Sequence, residues 1–390
     1  MLLSLKKGWG LFLLVFPGRE REVVCDGRRL VVAEKEPKKK ILLFLERKVS
    51  EMKQLKKLAA SILVLAFTAS LAACGAGGSS SSQAASGQSS GKKLQIGVIQ
   101  FAPHPSLDNC YKGFLQGLEE AGYKNGQNVT IDLQNAQGDA ANGDLIAKNM
   151  VSKKYDMIMG IATPAAMSAY SAAKGTDIPV VFTAVSDPVS AGIVKSLEKP
   201  GTNCTGTSDV LPLEEQVKMI RAFLPQAKKI GVLYTTSEPN SVSQLASLKK
   251  IAGNYGFEIV ETGVTNASEV ATAAASTVAK GVDCLNNFTD NNVVNNLSSV
   301  LQAANKKKIP VFGSEEEQVK NGCLASQGID YVALGAQTGK MAASILKGEK
   351  KAADLPVFLV KDFSPVYNKT VLDSLGLSLP KDYENAAEVK

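Results

Sequence analysis

The run Met157–Lys174, MIMGIATPAAMSAYSAAK, changes character in its middle. Met157 to Ala162 is wholly apolar and of strand length, whereas Pro164 to Lys174 reads as a helix, with proline suited to its first position. Thr163 stands between them as a candidate N-cap. Pro179 to Val185 then reads as a second strand. Strands that alternate with helices of this size indicate a parallel sheet covered on both faces.

The same rhythm extends outward. Upstream are strands at 94–101 and 129–133 and helices at 106–122 and 140–153. After Asp209 the cycle restarts, with helices at 213–224, 241–255, 268–279 and 292–304 between strands at 229–234, 258–260, 282–286 and 309–312. Tyr331 to Leu346 is a further helix. The expectation is two α/β lobes of comparable size. Open α/β sheets bind ligands beyond the carboxyl ends of their strands, so two facing lobes enclose a cleft that closes about a hinge.

Ahead of the body lies a sorting signal. Lys53, Lys56 and Lys57 precede an apolar core from Leu58 to Leu71, and Ala72 and Ala73 lead into Cys74. A charged start, a core too short to span a bilayer and a small-residue cleavage site describe a secretory signal peptide over 52–73. Leu71-Ala72-Ala73-Cys74 resembles the lipobox of bacterial lipoproteins, which implies lipidation (palmitate) of Cys74 and a location at the cell membrane, lipid-anchored on the extracytoplasmic side. Residues 74–93 are a Gly/Ser-rich tether. Residues 1–51 show neither strand alternation nor helical period and read as an upstream extension outside the mature protein.

This boundary changes the meaning of the charge. The whole chain has 44 Lys+Arg against 37 Asp+Glu, but residues 1–73 hold 15 of the former and 7 of the latter. Residues 74–390 carry 29 against 30, so no basic footprint for nucleic acid remains. Four further cysteines, Cys110, Cys204, Cys284 and Cys323, are widely spaced; disulfides are open to an exported protein, but buried single thiols are the favoured reading.

The strand ends hold the candidate ligand groups. The first strand runs into Phe101, His104, Ser106 and Asp108, where Ser106 or Asp108 is a candidate cap. The third ends at Thr163-Pro164-Ala165-Ala166, a helix start whose hydroxyl and free N–H groups suit a carboxylate, or where Thr163 serves only as a cap. The fourth ends at Ser186-Asp187-Pro188. The other lobe offers Asn240-Ser241 and Asp290-Asn291, where Asp290 either pairs with an ammonium or caps the next helix. Catalysis is not expected. His104 is the single histidine, wedged between prolines, and there is no G-x-S-x-G elbow, metal-ligand spacing, G-x-G-x-x-G or P-loop. No cofactor and no metal are expected.

HPSLD at 104–108, QNAQGD at 134–139, IATPAA at 161–166, FTAVSDPVSAG at 182–192, GTSD at 206–209, EPNS at 238–241, TDN at 289–291 and GIDYVALGAQTG at 328–339 occur in order. The series resembles the substrate-binding lipoproteins of ABC importers, tryptophan/tyrosine type, over nearly all of 94–380. The resemblance implies a type I periplasmic-binding fold of two Rossmann-like lobes, 94–208 with 328–358 and 209–327 with 359–390. It implies a monomer that captures an amino acid, with an aromatic side chain, and delivers it to a permease with its ATPase subunit; a ligand-sensing receptor with no transport role is the alternative. Thr163, Ala165 and Ala166 are then expected at the ligand carboxylate and Asp290 with Asn291 at the ammonium. Phe101, Pro103 and His104 would flank the ring, Asn240 and Ser241 would complete the closed cleft, and Asp187 and Asp209 are secondary candidates.

Overall fold

The computed structural model describes residues 11–16, 19–26, 29–33 and 93–389, and the chain divides into two compact units, Met1–Gln88 and Ser89–Lys390. In the first, β1 (Leu11–Phe16), β2 (Arg19–Asp26) and β3 (Arg29–Ala33) form an antiparallel meander. This corrects the expectation that 1–51 lacks regular structure. Apolar runs such as LFLLVF show no alternation, yet strand pairing needs only short extended segments joined by tight turns. The signal segment, Cys74 and the tether to residue 92 lie outside the described residues, among which no helix is long and apolar enough to cross a membrane.

In the second unit the first lobe is built from β4 (Leu94–Gln100), α1 (Pro105–Glu120), β5 (Val129–Asn135), α2 (Ala140–Ser152), β6 (Met157–Ile161), α3 (Thr163–Ala173), β7 (Val180–Thr183) and β8 (Cys204–Ser208). The chain then crosses to the second lobe: α4 (Leu213–Phe223), β9 (Lys229–Thr235), α5 (Pro239–Ala252), β10 (Glu258–Val264), α6 (Val270–Ala279) and β11 (Cys284–Asn286). It continues through α7 (Asn291–Asn295), α8 (Leu297–Asn305), β12 (Val311–Phe312), α9 (Glu316–Lys320) and β13 (Ala325–Gly328). It returns with α10 (Tyr331–Leu346) and β14 (Phe358–Leu359), and ends in β15 (Ser364–Asn368), α11 (Lys369–Leu375) and β16 (Ala387–Val389).

The first sheet has the order β14-β8-β7-β6-β4-β5, every pair parallel. The second, β10-β9-β11-β12, is also parallel. A small sheet β13-β15-β16 closes the second lobe, with β13 and β15 antiparallel. Leu359 pairs with Ser208, which keeps the strand through Leu359 in the first sheet. Central strands are buried on both faces, β6 along its whole length, as a sheet covered by helices requires. Large side chains such as Phe114, Phe182, Phe288 and Phe312 are fully buried, each contributing about 2–3 kcal/mol.

Two helices carry cleft residues and are pressed together to do so. Gly113 and Gly117 of α1 face Gly335 and Gly339 of α10. A Cβ on Gly113 would collide with the Val332 carbonyl, one on Gly117 with that of Ala336, and one on Gly335 with that of Cys110. This backbone-to-backbone contact fixes Ser106 and Leu107 on α1 against Tyr331 on α10.

The expected helix at 292–304 is instead two, α7 and α8, broken at Asn296 (φ −113°, ψ 23°). The sheet β13-β15-β16 and α9 were not anticipated; ASQG, SPVYN and AEV are too short and polar to carry a strand period. Cys110, Cys204, Cys284 and Cys323 are all buried free thiols, as the favoured reading held.

Candidate ligand-binding cleft

The cleft is set by how β6 hands over to α3. Ala162, not Thr163, occupies the cap position, at φ +77° and ψ 157°, so Thr163 is the first helical residue and Pro164 the second. A non-glycine residue at this φ stores strain. Its consequence is that the Thr163 hydroxyl is released from capping: Oγ1 is buried, lines the cleft and has no partner. Ala184, at the end of β7, also lines the cleft and also has a positive φ, +55°. Ala165 and Ala166 do not line it. The Ala166 N–H donates to Ala162 O at 3.0 Å, and Ala166 is held so close to β6 that a Cβ on Gly160 would lie 2.5 Å from its Cα. The expected pair of free N–H groups at Ala165 and Ala166 is thus corrected: the helix uses one of them and packing covers both.

Asp290 is also corrected. It is fully buried, caps α7, and accepts from Val293 N–H (3.0 Å), Thr235 N–H (2.5 Å), the Thr235 hydroxyl (2.7 Å) and the Ser241 hydroxyl (2.7 Å). Four donors saturate both oxygens, and neither Asp290 nor Ser241 reaches the cavity. Phe101 is likewise withdrawn, into the first lobe's core. Asp108 is exposed and accepts from Gln100 Nε2 at 2.8 Å, while the cap of α1 is His104, without a side-chain bond, rather than Ser106 or Asp108.

Ser186 and Asp187 belong to a latch between the lobes. Gln244 Nε2 donates to Ser186 Oγ at 2.9 Å, the Ser186 and Thr289 hydroxyls are 3.2 Å apart, and Ser243 Oγ donates to Asp187 at 2.7 Å. Asn109 Nδ2 adds a bond to Glu317 at 3.2 Å. Burial works to raise the Asp187 carboxyl, but hydrogen bonds from Ser190, Ser243 and Val189 outweigh it and hold it low.

His104, Thr163, Asp209, Asn240 and Asn291 do meet at one small cavity between the lobes, of about 20 Å³. It opens past His104, Ser106, Glu315 and Gln318 into a vestibule of about 540 Å³ walled by Pro103, Leu297 and Leu301. Burial pushes the His104 imidazole down to about 4, against smaller upward pulls from Asn291 and Asp108, so the ring is neutral at pH 7. Asn291 spends its Nδ2 on Glu238 (2.7 Å), leaving Oδ1 as the acceptor 3.5 Å from His104 Nε2. The imidazole proton therefore sits on Nε2, and buried Nδ1 is an unpartnered acceptor.

Asp209, an expected secondary candidate, accepts from Ser186 Oγ and from the hydroxyl of Tyr331, each at 2.9 Å, and burial raises its carboxyl against those bonds. Tyr331, Glu315 and Glu238 are residues missed in the sequence that complete the site. Glu315 caps α9 and lines the cavity; burial pushes it up to about 7 although the Glu317 and Gln318 N–H groups and Ser106 pull down. Glu238, just behind the lining, is pushed up to about 8 by burial and then by Asp290. Glu315 hides in the acidic run Glu315-Glu316-Glu317, which reads as a solvated face, although its place just after β12 is a strand end. Among the cavity's lining residues there are carboxyl groups and no lysine or arginine. Such a site favours a ligand that brings a positive charge.

The model of the family described as ABC transporter substrate binding protein matches residues 95–390. The chain belongs to that family. As a substrate-binding protein of an ABC transporter it resembles the tyrosine-binding protein of Clostridioides difficile (strain R20291), 46% identical over 286 residues, 73% of this chain and 82% of that protein. It resembles the ABC domain in complex with L-Trp from Streptococcus pneumonia at TM-score 0.73 and 39% identity, over 77% of this chain and all (100%) of that one. Against the ligand-free, open structure of a substrate binding protein with adhesive properties from Clostridium difficile the TM-score is 0.59 at 44% identity, over 76% and 99%. Higher identity with poorer superposition means that the lobes differ in arrangement more than in sequence. The interlobe latch gives the reason: this substrate-binding protein stands with its lobes closed.

Proposed function

We propose that the protein is the lipid-anchored extracytoplasmic receptor of an ABC importer for a free aromatic amino acid, tyrosine or tryptophan. The similarity to a tyrosine-binding protein and to an L-Trp complex supports the ligand class. The single observation that carries the reading is the division of labour in the cleft. The unpartnered Thr163 hydroxyl at the start of α3 suits a carboxylate on one lobe, while Asp209, Glu315 and the side-chain oxygens of Asn240 and Asn291 suit an ammonium. The amino-acid head enters the inner cavity as the latch loosens, and the ring lies toward the vestibule between Pro103, His104, Leu297 and Leu301. The 540 Å³ vestibule falls in the range of about 300–1,000 Å³ usual for small-molecule sites, whereas the closed inner cavity, at about 20 Å³, admits little more than one water.

On this reading the protein is a monomeric carrier without chemistry of its own. Its neutral His104 is committed to Asn291, with no nucleophile bonded to it. Residues 52–73 are removed, Cys74 carries the lipid, 74–93 tether the body beside the permease and its ATPase, and the two lobes hinge about the three chain crossings. Calorimetry with tyrosine, tryptophan, phenylalanine, leucine and a sugar ranks the ligands. Heat from the aromatic amino acids alone supports the assignment, and heat from the sugar with none from any amino acid refutes it.

A further inference from the structure

Asparagine presents two faces, a carbonyl oxygen that accepts and an NH₂ that donates, and only its surroundings decide which face a ligand meets. Asn240 and Asn291 both line the inner cavity. Behind them Glu238 is 3% exposed, and its Oε2 accepts from Asn291 Nδ2 at 2.7 Å, Asn291 N–H at 3.2 Å and Asn240 Nδ2 at 3.2 Å. Asn240 Nδ2 also donates to Thr289 O at 3.0 Å. Every amide N–H of consequence is drawn away from the cavity. What remains toward it is Asn240 Oδ1, buried and without a partner, and Asn291 Oδ1, touched only by His104 across the cleft.

We infer that Glu238 is a positioning residue that makes this cleft read an ammonium, by turning the carbonyl oxygens of Asn240 and Asn291 toward the ligand. Nothing else in the second lobe forces that orientation on both amides at once. Glu238, Asn240 and Asn291 all belong to the second lobe, so the arrangement survives opening of the cleft and is in place before a ligand arrives, which removes an ordering cost from binding. Glu238 does this as a hydrogen-bond acceptor rather than as a charge, since a neutral carboxyl keeps its carbonyl oxygen. A wrong ligand, lacking the ammonium, leaves the two oxygens buried and unsatisfied, which is the strongest form of discrimination a polar site offers.

The inference rests on the ligand carrying an amino group, and the test separates the two. Calorimetry is run on the full chain with L-tryptophan and with its des-amino analogue, indole-3-propionate, for wild type, Glu238→Met and Glu238→Gln. Wild type favouring the amine by at least about 30-fold supports the amino-acid reading; equal binding of both removes that reading whatever the variants do. Given wild-type preference, Glu238→Met is expected to lose at least about tenfold of it while the analogue's affinity changes less than about threefold, and Glu238→Gln, which keeps an acceptor, is expected to restore it. Equal weakening of both ligands in Glu238→Met, or an unchanged preference, overturns the positioning role. Should Glu238→Met not fold, side-chain amide NMR of the wild type decides. The NH₂ protons of Asn240 and Asn291 are expected to stay protected with and without L-tryptophan, and contacts from either NH₂ to the bound amino group overturn the inference.

Discussion

Asp290→Asn separates a structural carboxylate from a ligand-holding one. In the structure one carboxylate oxygen takes Val293 N–H and the Thr235 hydroxyl, and the other takes Thr235 N–H at 2.5 Å and the Ser241 hydroxyl at 2.7 Å. Asparagine keeps the first oxygen and remains a good cap. Its NH₂ then meets a backbone N–H, leaving one buried donor orphaned and a repulsive contact, while Ser241 rotates to accept. The cost is about 2–4 kcal/mol, reduced a little because Glu238 loses the like charge beside it. Against a total of about 5–15 kcal/mol this is a large fraction and lowers the melting temperature by roughly 5–10 °C. Affinity for the amino acid, measured by calorimetry on the folded variant, is expected to change less than about threefold. Had Asp290 been the ammonium's partner, neutralising it would cost about 2–5 kcal/mol of binding, a loss of at least thirtyfold. A variant with wild-type melting and a thirtyfold loss of affinity refutes the saturation argument.

Further outcomes follow from the same structure. Thr163→Val removes a buried hydroxyl that has no partner, so melting temperature is expected to hold or rise while affinity for a carboxylate ligand falls about 10- to 100-fold by calorimetry. Gly335→Ala drives a methyl into the Cys110 carbonyl and is expected to cost about 3 kcal/mol in urea unfolding; an unchanged midpoint would refute the close helix contact. Stability is expected to fall as pH rises from 6.5 to 8. Glu238 (about 8) and Glu315 (about 7) bind protons more tightly folded than unfolded, so their contribution is complete below about 4.5 and is lost through those values. His104, held near 4, works in the opposite direction only below about 6.5, and Glu238→Gln should flatten the segment from 7 to 8. No thiol of the folded body is expected to react with a thiol reagent, since burial pushes Cys110, Cys204, Cys284 and Cys323 all upward; rapid labelling of any of them would contradict the packing.

The alternation of apolar runs and helices made the two parallel sheets legible, because a strand buried on both faces must be apolar throughout, as β6 is. The sheet β13-β15-β16 was not legible, since its pairing partners lie far apart in sequence and its strands are mostly polar. At the site, strand-end logic found His104, Thr163, Asp209, Asn240 and Asn291. It misread Asp290 because N-capping and ammonium binding demand the same residue at the same place, and only the count of donors around the carboxylate separates them. Glu238 and Glu315 escaped because an acidic residue in a loop ordinarily faces water; here both are buried, Glu238 against Asn240 and Asn291 and Glu315 as the cap of α9. Phe101 was misplaced because an apolar residue at the end of a strand suits the core as well as a ligand ring, and here it lies in the core.

An aromatic amino acid held between the lobes is directly observable by fluorescence. Trp9 is the chain's single tryptophan, so in the Trp9→Phe chain any tryptophan emission comes from the ligand. Titration with L-tryptophan, excited through the protein's tyrosines, is predicted to give saturable emission with one site per chain that excess L-tyrosine abolishes. Emission that rises only in proportion to added tryptophan and ignores L-tyrosine would contradict it.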